Sequence, residues 1–130
     1  MENHLRAALI TWLRDDPALS AINAIEEEVP VMASAPWIGI AASASTDWGT
    51  KERPGREVRI AIELESRADE PHADGPLVDA IEQRVLELPH LHSGFELASI
   101  RFLRARSEER DGNLRGALLE FRFRIFAPQN

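Results

Sequence analysis

Cysteine is absent from this 130-residue chain. That excludes disulfides, a thiol nucleophile and a cysteine-ligated zinc site. No apolar run approaches the roughly 20 residues that a membrane span needs. Met1-Glu2-Asn3-His4 also lacks the basic and apolar stretches of a signal peptide. The expectation is a protein made in the cytoplasm with no membrane partner. No glycine-rich loop follows a strand pattern, so dinucleotide binding has no support. No G-x-S-x-G elbow surrounds Ser43 or Ser45, which read as loop formers beside Thr46 and Asp47.

What is present describes a folded domain. Hydrophobic residues make up 44% and charged residues 28% of the chain, as in compact globular proteins. The length supports one core, so residues 1–130 are read as one domain. The formal charge of −7 is unevenly placed. Residues 101–130 hold seven arginines and four acids, net +3, whereas residues 1–100 hold eight basic and 18 acidic residues, net −10. An acidic surface of that size repels phosphate backbone. The arginines of the last segment either lie solvated and paired on a sheet face or meet an acidic partner subunit.

Periodicity supplies the elements. Leu5, Leu9, Trp12 and Leu13 recur at helical spacing after a capping Asn3, and Asp16-Pro17 ends the pattern. Residues 18–36 read as a loop with one short strand, and Glu26-Glu27-Glu28 as a charge run facing water. Trp37 to Ala42 reads as a tightly packed strand, because its side chains are small or β-branched. Ser43 to Glu57 reads as a long polar loop, punctuated by Asp47-Trp48-Gly49 and Pro54-Gly55. Val58, Ile60, Ile62 and Leu64 alternate with Arg59, Ala61, Glu63 and Glu65, a strand with one apolar face. After the polar stretch Arg67–Gly75, Asp74 caps and Pro76 opens a helix with Leu77, Ile81, Val85 and Leu88 on one face. Pro89 ends it. A strand through Ile100 and Phe102 then turns at Asp111-Gly112 into a return strand that buries Leu119, Phe121, Phe123 and Ile125. The order predicts an α+β fold, a mainly antiparallel sheet with two α-helices on one face.

Catalytic and metal-binding constellations are sparse. His90-Leu91-His92 offers two imidazoles without a third ligand, and is read as polar loop residues beside a helix end. Consecutive Glu26-Glu27-Glu28 side chains rarely converge as an acid-base pair. No catalytic residue, cofactor or metal is expected, and the chain is read as a non-enzyme. The strongest signal outside the core is Thr46 to Arg56, where Trp48 stands among polar groups. Aromatic and arginine side chains of this kind favour interface centres. A Trp48 folded over its own sheet edge is the equal alternative.

Asp47-Trp48-Gly49-Thr50-Lys51, then Arg53-Pro54-Gly55-Arg56-Glu57-Val58-Arg59 and an apolar strand, resemble the tail terminator, or tail completion, family of long-tailed phages. The version carried by gene transfer agents is the most similar. Leu5 to Leu19 resembles the family's opening helix, Ala35-Pro36-Trp37 its first strand, and Ile100 to Arg106 with Leu118 to Ile125 its closing hairpin. The resemblance implies a structural subunit of a ring, usually a hexamer, that caps the head-proximal end of the tail tube. It implies three partners: other copies of the chain, the tail tube protein and the head-side connector. DNA would pass through the lumen without specific binding. Under this resemblance Trp48, Lys51, Arg53 and Arg56 are expected at subunit or connector contacts, and Glu109, Arg110 and Asp111 at a hairpin tip reaching a neighbouring ring. A head-side adaptor and a small standalone bacterial enzyme, regulator or binding protein are the rival readings.

Overall fold

The computed structural model describes residues 1–67 and 70–129. Helix α1 spans Glu2–Arg14 and buries Leu5, Leu9, Ile10 and Leu13 along one stripe. Its cap position is Met1, with no side-chain cap, so the expected capping Asn3 is corrected: Asn3 lies inside the first turn and accepts a hydrogen bond from Arg6. Asp16 caps a short 3-10 turn, Pro17–Leu19, by accepting from the Ala18 amide at 3.0 Å. Strand β1, Ala24–Glu26, is the one short strand expected before residue 36.

Strand β2 runs over Trp37–Asp47 and β3 over Gly55–Arg67, so the connection between them is residues 48–54. The long polar loop expected over Ser43–Glu57 is thereby corrected. Ala41 to Asp47 are all exposed, and an edge strand with solvent on both faces carries no hydrophobic alternation to betray it. The polar stretch Arg67–Gly75 includes residues 68 and 69, which lie outside the described residues. Helix α2 spans Gly75–Leu86. Asp74 stands at its cap position without making a side-chain cap bond, which corrects its expected role, while Pro76 does occupy the first turn. Strands β4, Leu91–His92, β5, Phe95–Arg110, and β6, Leu114–Phe126, complete the chain.

The six strands form one sheet in the order β1-β2-β3-β6-β5-β4, antiparallel except for β1 against β2. Period two along β3 and β6 sends Val58, Ile60, Ile62 and Leu64 with Leu119, Phe121, Phe123 and Ile125 to one face, all at most 1% exposed. Leu5, Leu9 and Leu13 of α1 and Ile81 and Val85 of α2 join the same core. Both helices cover that face, and the opposite face carries no helix among the described residues. Trp12 ties the helices together: its indole N–H donates to the Arg84 carbonyl at 2.7 Å, and the Arg84 guanidinium stacks 3.4 Å from its ring. The tight packing expected for Trp37–Ala42 holds over residues 37–40, with an added Cβ on Gly39 lying 2.8 Å from the Glu28 carbonyl oxygen, and is corrected at Ala41 and Ala42, which are exposed beyond the stretch that β1 covers.

Candidate functional site

The 48–54 connection is fixed by its own backbone. Trp48 N–H donates to Gly55 O at 3.1 Å and Thr50 N–H to Arg53 O at 2.8 Å. Trp48, half-buried, lays its ring 4.8 Å from Phe126, and the Arg124 guanidinium lies 5.3 Å from the same ring. Its indole therefore folds back on its own domain, against the end of the central strand β6 and not over a sheet edge, while keeping part of its surface in solvent. Arg53 stitches the connection to the end of β6 and the start of β5. It donates to Ala127 O at 2.8 and 3.0 Å and to Glu96 at 2.6 Å, and stacks over Phe126. Arg56 lies 3.7 Å from Glu2 and 3.4 Å from Asp47. Lys51 is exposed and has no ion pair among the described residues. Of this group, Trp48 and Lys51 offer free surface, whereas Arg53 and Arg56 spend their charge within the chain.

The hairpin tip divides in the same way. Gly112 and Asn113 take positive φ values of 72° and 61°, the left-handed backbone that lets β5 turn into β6. Glu109 and Asp111 are exposed. Arg110 instead turns back across Gly116 to Glu63, Glu65 and Glu108 at 2.8, 3.0 and 3.1 Å. Burial works against its charge, but the hydrogen bonds to these carboxylates outweigh it and hold the guanidinium above the ordinary arginine value.

The helix-free sheet face was not read as a site from sequence, because its charges sit together only through strand register. Arg59, Arg122 and Arg101 occupy one cross-strand row. Glu57 accepts from Arg124 at 3.1 Å and lies 3.8 Å from Arg122, and Glu120 accepts from Arg104 at 2.8 and 3.1 Å. The hydrogen bond from Arg104 holds the Glu120 carboxyl below the usual glutamate range. Arg59, Arg101 and Arg106 are exposed and without an ion pair among the described residues. Like charges facing across strands cost stability, and here Glu57 beside Arg122 and Glu120 near Arg59 and Arg106 offset part of that cost.

Elsewhere, His90 Nδ1 lies 2.9 Å from Leu97 O, and His92 stacks on Phe95. Among the described residues no three His, Asp or Glu side chains gather as a metal site. Glu26 pairs with Arg14 at 3.0 Å, while Glu27 and Glu28 stand exposed on the rim of an open cleft of about 440 Å³ against α1. Beyond them Val31 and Met32 are 96% and 95% exposed, apolar side chains offered outward together. Among the described residues no helix is long and apolar enough to cross a membrane. The geometry offers surfaces for contact: an aromatic corner at Trp48, an open charged sheet face, and an apolar and acidic loop after β1.

The family model for tail completion protein gp17 matches residues 7–125. Among solved structures, a chain from the virion of a native gene transfer agent particle shares the fold at a TM-score of 0.82. It is 21% identical, with 97% of each chain covered. No curated protein matches.

Proposed function

Because the chain belongs to the tail completion protein gp17 family, we propose that it forms a ring on the head-proximal end of a phage-like tail tube. There it ends tube polymerisation and presents a docking surface to the head-side connector. Its work is complementarity at three surfaces rather than chemistry. The ring, a hexamer in this reading, assembles in the cytoplasm and then becomes part of the particle's tail. DNA passes through its lumen unbound, as an acidic subunit favours. The observation that carries the reading is the family match over residues 7–125, and the end-to-end fold likeness to a chain of a gene transfer agent virion supports it.

The test is to mix purified protein with tail tubes from the same particle and image them by electron microscopy. A ring at one tube end, with tubes of fixed length, is the expected outcome. Attachment to emptied heads and absence from tubes would replace the reading by that of a head-side adaptor. Trp48→Ala is expected to weaken capping by about 2 kcal/mol, as loss of an interface anchor does. Unchanged capping by a folded variant would remove Trp48 from the interface.

A further inference from the structure

The two edges of the sheet are unlike each other and complementary. On one side β4 covers only the start of β5, pairing with Phe95 and Glu96. From Ala98 to Arg110 the outer edge of β5 has no strand partner among the described residues. Arg101, Arg104 and Arg106 stand exposed along it. On the opposite side β1 pairs with β2 only at Trp37, Ile38 and Gly39. Above Gly39 β2 has no strand partner on its outer side among the described residues; its exposed Ala41 to Thr46 carry no charge or proline of their own, and Arg6 and Glu2 of α1 hydrogen-bond to Ser43 and Ser45 at 3.2 and 3.3 Å. Charge and proline are what blunt a free strand edge against pairing. Glu26, Glu27 and Glu28 stand exposed where β1 ends.

Register sets which residues would meet if a ring axis ran parallel to the strands. Glu26, Gly39, Glu63, Leu118 and Arg106 form one row straight across the sheet. Ala42, Ala61, Glu120 and Arg104 form the next in the same manner, and Ala44, Arg59, Arg122 and Arg101 a third. Rotation about an axis parallel to the strands moves a copy without lifting it along that axis. Each row therefore meets its own row in the neighbour. Arg106 of one copy then faces the Glu26–Glu28 run of the next, and Arg104 and Arg101 face the edge of β2. The strand directions make β5 antiparallel to both β1 and β2 of the next copy. Such a contact is heterologous, with a different surface on each side, which is the kind that closes into a ring.

We infer that copies of this chain join edge to edge, the arginine-bearing edge of β5 in one copy against the β1–β2 edge of the next, with Arg106 engaging the Glu26–Glu28 run. This rests on the ring reading above. It gives Arg106 carboxylates to pair with, and it turns the arginine-bearing edge of β5 toward a neighbouring copy instead of toward DNA in the lumen.

The test uses two charge-reversed proteins, Arg101→Glu with Arg106→Glu, and Glu27→Arg with Glu28→Arg. All four side chains are exposed and without an ion pair among the described residues, so both proteins should fold, as circular dichroism and urea titration would verify. Each alone is expected to cap tail tubes at least about a hundredfold more weakly than wild type, because like charges then face each other at every contact. An equal mixture is expected to restore capping, since alternating copies place opposite charges at every contact. Capping by either variant alone at wild-type strength would overturn the inference and leave the ring reading standing. Failure of the mixture to recover, with both proteins folded, would overturn it as well. If wild-type protein itself leaves tubes uncapped, the ring reading and the inference fall together.

Discussion

Phe121 is fully buried at the middle of β6, edge-on to Phe102 at 5.6 Å and tilted against Phe123 at 6.3 Å. Phe121→Ala is expected to cost about 3–5 kcal/mol in urea unfolding, the lost transfer energy plus the cavity left behind. Its neighbour Glu120 faces the other way and reports on a different force. Its folded-state pKa is depressed by the hydrogen bond from Arg104. Its contribution is therefore present above the unfolded glutamate pKa and is lost as pH falls through the lower, folded value. Titration followed by NMR should find the Glu120 midpoint below that of an ordinary glutamate, and Arg104→Ala should return it to the usual range. An unmoved midpoint in that variant would assign the shift to another group. The burial of Phe121 was legible in the sequence because period two needs only the chain itself. The pairing of Glu120 with Arg104 was not, since residues 16 apart meet only through the β5–β6 register and its bulge between Phe102 and Arg104.

At the scale of elements, glycines mark where strands and loops press together. The Arg110 guanidinium lies across Gly116, where a Cβ would overlap it. Gly116→Ala is expected to expel Arg110 and leave Glu63 and Glu65, only 15% and 19% exposed, without their counter-ion. Charge-assisted hydrogen bonds of this kind are worth about 1.5–3 kcal/mol, so the loss of stability should fall near that range. It should be largely absent when Gly116→Ala is made in an Arg110→Ala background. Additive losses in that double-mutant cycle would show that the two residues do not act together. The helices, the β3 pattern, the Asp111-Gly112 turn and the buried face of β6 were legible as elements. The outer half of β2 was not, since Ala-Ser-Ala-Ser-Thr exposes every side chain and offers no apolar face. The same limit hid the roles of Arg53 and Arg110. Both read as outward contacts beside turns, and both fold inward to carboxylates far away in the chain.

For the whole molecule, the separation of charge seen along the chain becomes a separation in space. The −10 of residues 1–100 and the +3 of residues 101–130 are not mixed evenly, since β5 and β6 bring seven arginines to one side of the sheet order and the Glu26–Glu28 run stands beside the far edge. An assembly joined through those edges should weaken with salt, because the screening length falls from about 10 Å at 0.1 M to about 3 Å at 1 M. Folding of one copy, which rests on an apolar core, should respond far less. Tube capping measured at 0.1 M and 1 M sodium chloride is therefore expected to fall by tenfold or more, while the urea midpoint of the free protein changes little. The opposite outcome is equally informative. The exposed Val31 and Met32 would drive a contact that salt leaves intact or strengthens, so capping that survives 1 M salt would shift the weight of assembly from the arginine edge of β5 to the apolar loop after β1.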